Sequence, residues 1–262
     1  MASSSPTPDA TRGLFETLLV IEGEPVELGA HLDRLATSLE ALFGAALPPG
    51  IAEEATAHAR PFALGRLRIA VDRIDPGPRL TLAAEDVDPR DFFPAWERGA
   101  ELRSLPRPGG LGCHKWADRR ALDGVEAGTV PLLLERDGEI LEAGRANLFA
   151  GIDGVLFTPV ADGRILPGIA RAGAIAAAAE AGIGVVEQRL SRDQLLAADE
   201  VFLTGSVRGV EPARALDGAE LPAATELSRR VGARLRRRWL NAAAAAGARA
   251  LATVPPPGPP AR

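Results

Sequence analysis

The sequence predicts an α+β protein of two units, a small mixed unit followed by a larger, strand-rich one. Three observations carry that prediction. Residues 13–104 alternate β-type apolar runs with a stretch of helical periodicity. Residues 105–111 (LPRPGGL) hold two prolines and two glycines in seven positions, the composition of a linker. Beyond it, residues 130–158 break into four short β-type runs separated by Asp137-Gly138, Gly144 and Asp153-Gly154, which read as tight turns of an antiparallel meander. The expected organisation is a flexible N-terminus over 1–12, a small α+β domain over 13–104, a linker over 105–112, a larger domain over 113–252 and a disordered Pro-rich tail over 253–262.

In chain order, residues 13–22 (GLFETLLVIE) form an apolar β run that Gly23-Glu24-Pro25 should reverse. Leu32, Leu35, Leu39 and Leu42 recur at helical spacing over 29–43 and stop at Gly44. His31 and Arg34, three apart, share one face of that helix. A second helix is expected over 50–59. Strands over 66–72 and 79–84 flank Asp75-Pro76-Gly77-Pro78, a hairpin signal, and one more strand is expected over 99–104 in the first unit. After the meander, Pro167-Gly168 opens a helix over 169–181 ended by Gly182. A strand follows over 183–189, then a capped helix over 191–196, a strand over 200–204 and a long final helix over 222–246. There is no internal repeat.

Composition excludes several classes. The 262 residues carry 46% hydrophobic and 25% charged side chains, the range of a globular protein with a real core. A net charge of −5 argues against nucleic acid or an acidic membrane as partner. Arginines cluster only at 229–230 and 234–238, a pattern expected for a solvated helix face. No apolar run reaches membrane-spanning length, and residues 1–11 lack a signal-peptide pattern. Cys113 is the single cysteine, which points to a cytoplasmic protein without intrachain disulfides. With three histidines (His31, His58, His114) no metal-ligand spacing arises, so no metal is expected.

Lys115 is the only lysine in the chain. Arginine can place positive charge anywhere, but its guanidinium stays protonated and cannot condense with a carbonyl. A lysine whose pKa is lowered can. A Schiff-base lysine commonly implies pyridoxal phosphate (PLP), which needs a phosphate site, a carboxylate at its ring nitrogen and a grip on the substrate carboxylate. Residues 166–170 (LPGIA) put free backbone N–H groups at a helix start, Thr204-Gly205-Ser206 offers two hydroxyls, Glu142 is a candidate ring-nitrogen partner, and Arg34 a candidate phosphate cation.

Taken together and in this order, GLFETLLV, HLDRL (31–35), the lone lysine, EAGRANLF (142–149), LFTP (156–159), LPGIAR (166–171), ADEVFLTGS (198–206) and GVEPARALDG (209–218) resemble the fold-type-IV PLP enzymes, the class IV aminotransferase family. That family includes branched-chain and D-amino acid aminotransferases and 4-amino-4-deoxychorismate lyase. The resemblance spans about residues 13–218. It implies a two-domain, D-amino acid aminotransferase-like fold, a homodimer and pyridoxal 5'-phosphate. By resemblance, Lys115 is the Schiff-base and proton-shuttling residue and Glu142 the ring-nitrogen carboxylate. Arg34, the backbone of Ile169 and Ala170, Gly205 and Ser206 belong to the phosphate site, and Asn147 scaffolds it.

Within the family, branched-chain aminotransferases place a tyrosine shortly after the lysine, and this chain has no tyrosine. Lys115-Trp116-Ala117-Asp118-Arg119 instead looks like the lysine-x-x-Asn-Arg pattern of the lyases, with Asp118 in place of Asn. The favoured expectation is therefore a lyase that eliminates pyruvate to leave 4-aminobenzoate, a folate precursor. A class IV transaminase is the alternative. Arg66, Arg68, Arg73, Arg103, Arg107 and Arg119 are candidates for substrate carboxylates, with Arg119 and Arg73 preferred.

Overall fold

The structure is a computed structural model that describes residues 8–72, 78–223 and 225–252, without the side chains of 248–252. Two sheets organise it. The smaller is antiparallel, in the order β2-β1-β3-β4, with β1 at Leu14–Ile21, β2 at Glu24–Pro25, β3 at Leu64–Asp72 and β4 at Arg79–Asp86. The long β3–β4 pairing, from Gly65↔Asp86 to Asp72↔Arg79, is the hairpin foreseen from the Asp-Pro-Gly-Pro signal, although residues 73–77 themselves lie outside the described residues.

Helices α1 (Leu28–Phe43) and α2 (Ile51–Ala59) cover one face of this sheet. Leu35 and Leu39 of α1 and Ala55 and Ala59 of α2 meet Leu14, Leu18 and Val20 of β1 and Leu67, Ile69 and Val71 of β3. The period-2 pattern of β3 sends Leu67, Ile69 and Val71 into this core and leaves Arg66 and Arg68 on the opposite face. Helix α1 stops where Gly44 adopts a left-handed conformation and donates its N–H to the Glu40 carbonyl, a glycine C-cap.

The larger sheet runs in the order β10-β9-β8-β11-β12-β5-β6-β7, with β13 paired to β12. Its strands are β5 (Ala100–Pro106), β6 (Val130–Leu134), β7 (Ile140–Ala143), β8 (Asn147–Ile152), β9 (Val155–Thr158), β10 (Val185–Glu187), β11 (Glu200–Gly205), β12 (Gly209–Leu216) and β13 (Ala219–Glu220). The sheet rolls until its ends meet, with the Ile140 N–H donating to the Leu190 carbonyl at 2.8 Å. Leu102, Leu132, Leu148 and Leu203 fill one apolar cluster. A second forms where Phe149 and Phe202, stacked 5.1 Å apart, pack with α3 (Ile169–Glu180) and α5 (Glu226–Ala252). Between them α4 (Arg192–Leu196) carries the full capping box of Ser191 and Gln194.

Several expectations are corrected. The strand expected over 99–104 forms as β5, but it joins the larger sheet, parallel to β6 and β12, because Ala100 and Leu102 are buried among that sheet's leucines. The junction between sheets thus lies upstream of Ala100, and Leu105 and Pro106 belong to β5 rather than to a linker. The meander is interrupted: β6–β7 and β8–β9 are hairpins, but β8 pairs with β11. The final helix starts four residues later than expected, at Glu226, and runs to Ala252. Residues 8–12 are ordered by a short 3-10 turn and by the Asp9 N–H, which donates to the Asp118 carboxylate. The expected Pro-rich tail, 253–262, lies outside the described residues.

Candidate active site

A cavity of about 490 Å³ opens between the two sheets. Lys115 enters it from a segment that hydrogen-bonds along β1: the Phe15 N–H donates to the Lys115 carbonyl at 3.0 Å, and the Ala117 N–H donates to the Gly13 carbonyl at 3.0 Å. Gly13 is required there. Its φ is +83°, and a Cβ would sit 1.8 Å from the Val71 carbonyl oxygen. The Lys115 amine lies 5.2 Å from the centre of the Phe15 ring. Burial pushes its pKa down to about 8 from 10.5; the Glu16 carboxylate opposes this, while Arg34 and Arg119 reinforce it. The shift enlarges the neutral fraction of the amine near physiological pH relative to an exposed lysine.

Glu142, at the end of β7, is 5% exposed. Its Oε2 accepts from the Leu166 N–H at 3.2 Å and from Asn147 Nδ2 at 3.3 Å. Burial raises its pKa to about 8, against the pull of the Leu166 N–H and of Arg119 and Lys115. No cationic side chain among the described residues comes within ion-pair distance of it. Asn147 also donates to the Leu166 carbonyl at 3.0 Å. A Cβ at position 168 would fall 1.9 Å from Asn147 Oδ1, so only glycine fits between Asn147 and the start of α3. With Gly168 as N-cap and no capping side chain, the first N–H groups of α3, from Ile169 and Ala170, remain available at the cavity.

Arg34 reaches the cavity from α1. It donates through Nε and Nη2 to Glu16 at 2.8 and 2.7 Å and through Nη1 to the Pro167 carbonyl at 2.9 Å. On the other side Arg119 donates to the Gly144 carbonyl, and burial lowers its pKa. Arg68 stacks over the Phe15 ring at 3.9 Å and has no hydrogen-bond or ion-pair partner among the described residues. The remaining rim arginines are neutralised: Arg66 by Glu85, Arg145 by Glu211 in a two-pronged pair, and Arg208 by Asp91.

The Amino-transferase class IV family model matches residues 100–216. That match covers less than half of the chain, and the two-sheet architecture is that of the type IV fold. Over 90 residues it is 46% identical to the branched-chain-amino-acid aminotransferase of Escherichia coli (strain K12), a stretch covering 34% of this chain and 29% of that protein. The matches thus span less than half of the length of the curated relatives of this kind. The solved 4-amino-4-deoxychorismate lyase from Pseudomonas aeruginosa is 26% identical, with a TM-score of 0.72 over 90% of this chain and 96% of that one. The PLP-bound form of a hypothetical aminotransferase from Mycobacterium tuberculosis gives 0.77 over 92% and 96% at 21% identity, a likeness of fold alone.

Of the residues singled out in the sequence, Lys115, Glu142, Arg34, Asn147, Ile169, Ala170, Gly205, Ser206 and Arg119 all line this cavity. Arg73 lies outside the described residues, and Arg103 and Arg107 do not line the cavity. The residues fit PLP. The buried Glu142 carboxylate lacks the cation that a protonated ring nitrogen would supply. The Thr204 hydroxyl is buried at the cavity wall without a hydrogen-bond partner. Sequence reasoning passed over Glu16, Phe15 and Trp116, and it ranked Arg68 below Arg73. The overlooked signal was Glu16 itself, a lone charge inside an otherwise apolar strand. Cys113 is exposed and outside the cavity. Among the described residues no cluster of His, Cys, Asp or Glu could hold a metal, and no helix is long and apolar enough to cross a membrane.

Proposed function

We propose that the chain is a PLP-dependent class IV transaminase, moving an amino group between an amino acid and a 2-oxo acid. The observation that carries this reading is the placement of Lys115 and Glu142, each with a shifted pKa, on one cavity of a class IV fold. The extended identity with a branched-chain aminotransferase favours transamination over the pyruvate elimination that the Lys-x-x-Asp-Arg pattern suggested. A homodimer, as the resemblance implies, is part of the proposal.

When bound, PLP would supply an electron sink for the pair released at the substrate α-carbon. The chain's own residues do the rest. Lys115 Nζ would hold the cofactor through its neutral amine and would take and return the proton at that carbon. Glu142 would hold the ring nitrogen in its protonated form. Arg34, the Ile169 and Ala170 N–H groups and Ser206 would hold the phosphate. Phe15 and Trp116 line the cavity beside the amine. Arg68 and Arg119, the two cavity arginines without a carboxylate partner, are placed to take substrate carboxylates.

Those two uncompensated guanidinium groups also favour a second reading, elimination of pyruvate from the dianionic aminodeoxychorismate. The test separates the two. With PLP present, branched-chain, acidic and D-amino acids are each paired with a 2-oxo acid, and amino transfer is measured. Pyruvate release from aminodeoxychorismate is followed without any oxo acid. Transfer that Lys115→Ala abolishes supports the transaminase. Sustained pyruvate release without acceptor would replace it with the lyase.

A further inference from the structure

We propose that Glu16 is the positioning residue of the phosphate site: its buried carboxylate sets the Arg34 guanidinium against the N-terminus of α3. The inference rests on the reading of the cavity as a PLP site. Glu16 lies on the face of β1 that carries Leu14, Leu18 and Val20 into the apolar core, and it is 1% exposed. A carboxylate is costly to bury there, and an apolar side chain of similar volume would serve the core as well. Stability alone therefore gives no reason for a charge at this place.

The hydrogen bonds supply the reason. Glu16 accepts from Arg34 through both oxygens and from His31 Nδ1 at 2.7 Å. Burial lowers the His31 pKa, so a neutral ring in its Nδ1–H tautomer can donate without adding a second positive charge. Burial would raise the Glu16 pKa, but the His31 and Arg34 hydrogen bonds overcome it and hold the carboxyl at about 2. Arg34 then spends one further N–H on the Pro167 carbonyl, directly before the N-cap of α3. Three of its five donors are used, and two remain for a bound anion. The relay from Glu16 through Arg34 to Pro167 joins β1 of one sheet to the helix start beside the other.

The test compares PLP with pyridoxal, which has the same ring and aldehyde but no phosphate. Apoprotein of the wild type and of Glu16→Gln is titrated with each, following tryptophan fluorescence and visible absorption, with melting temperature read alongside. The expected result is a loss of PLP affinity of at least about tenfold, as for a charged hydrogen-bonded group, with pyridoxal affinity nearly unchanged. Arg34→Lys, which cannot fork, should reproduce the loss, and adding Glu16→Gln to it should cost less than Glu16→Gln alone. If Glu16→Gln does not fold, Glu16→Met keeps the core volume and is measured instead. Equal weakening of both ligands, or no weakening of either, would overturn the proposal. Failure of the wild type to bind PLP at all would instead remove the cofactor reading on which it stands.

Discussion

On the small-sheet side of the cavity one buried charge cluster is matched within the protein. Glu16 is held by Arg34 and His31, and Arg34 by Glu16 and the Pro167 carbonyl. The large-sheet side is the reverse. Among the described residues, Glu142 has hydrogen-bond donors but no cation, Thr204 has no partner, and the first N–H groups of α3 are uncapped. Buried polar groups left incomplete are costly unless something completes them. The large-sheet side therefore holds buried groups that a ligand would complete, whereas the Glu16, His31 and Arg34 cluster of the small-sheet side is already set.

This contrast can be broken most severely at Lys115. Lys115→Ala should remove the visible absorption of bound cofactor and reduce turnover by at least about a thousandfold; an absorbing, active mutant would mean that another nucleophile serves. Next in size is Gly168→Ala. The added Cβ must displace Asn147, which should cost about 1–3 kcal/mol of stability and loosen Glu142 with it, read by thermal melting and PLP titration.

A smaller effect, of opposite sign, is expected at Glu142 in cofactor-free protein. Its folded pKa of about 8 lies above the ordinary 4.5, so the unfolded chain binds fewer protons between those values. Its contribution to stability is present below pH 4.5 and is lost as pH rises through 8. Glu142→Gln removes that loss, so its melting temperature should exceed the wild type's by a few degrees near pH 8 and match it at pH 4.5. PLP should erase the difference, and a difference independent of pH would refute the assignment. The smallest change is expected at the rim. Arg66 pairs with Glu85 with both side chains about half exposed, and Arg66→Ala should move stability by less than about 1 kcal/mol in chemical denaturation.

Local signals were legible in the sequence. The glycine stop of α1, the capping box of α4 and the Asp-Pro-Gly-Pro reversal between β3 and β4 each depend on a few adjacent residues. What escaped depends on distant partners. β5 looks like any short apolar strand, and only Leu132, Leu148 and Leu203 decide which sheet it joins. β12 was quoted as a motif but not read as a strand, because Gly209, Glu211 and Pro212 disguise a segment buried on both faces. In the site, the lysine stood out because it is unique in composition, and Glu142, Asn147 and the 166–170 segment through resemblance. Glu16 was hidden because a carboxylate within a strand ordinarily faces solvent; its burial is explained only by Arg34 and His31, more than a dozen residues away.

Lys115 follows β5 in the chain and precedes β6, both of the larger sheet, yet its backbone is stitched to β1 of the smaller one. The larger sheet's own chain thus supplies both the amine and the Glu142 carboxylate, but β1 of the smaller sheet holds the amine's backbone in place. Expressed alone, the larger-sheet fragment would contain both residues but lack the seam that positions the amine, and adding the small-sheet fragment should restore the pair only when the seam along β1 re-forms. The separation of the pair is a ruler for that seam.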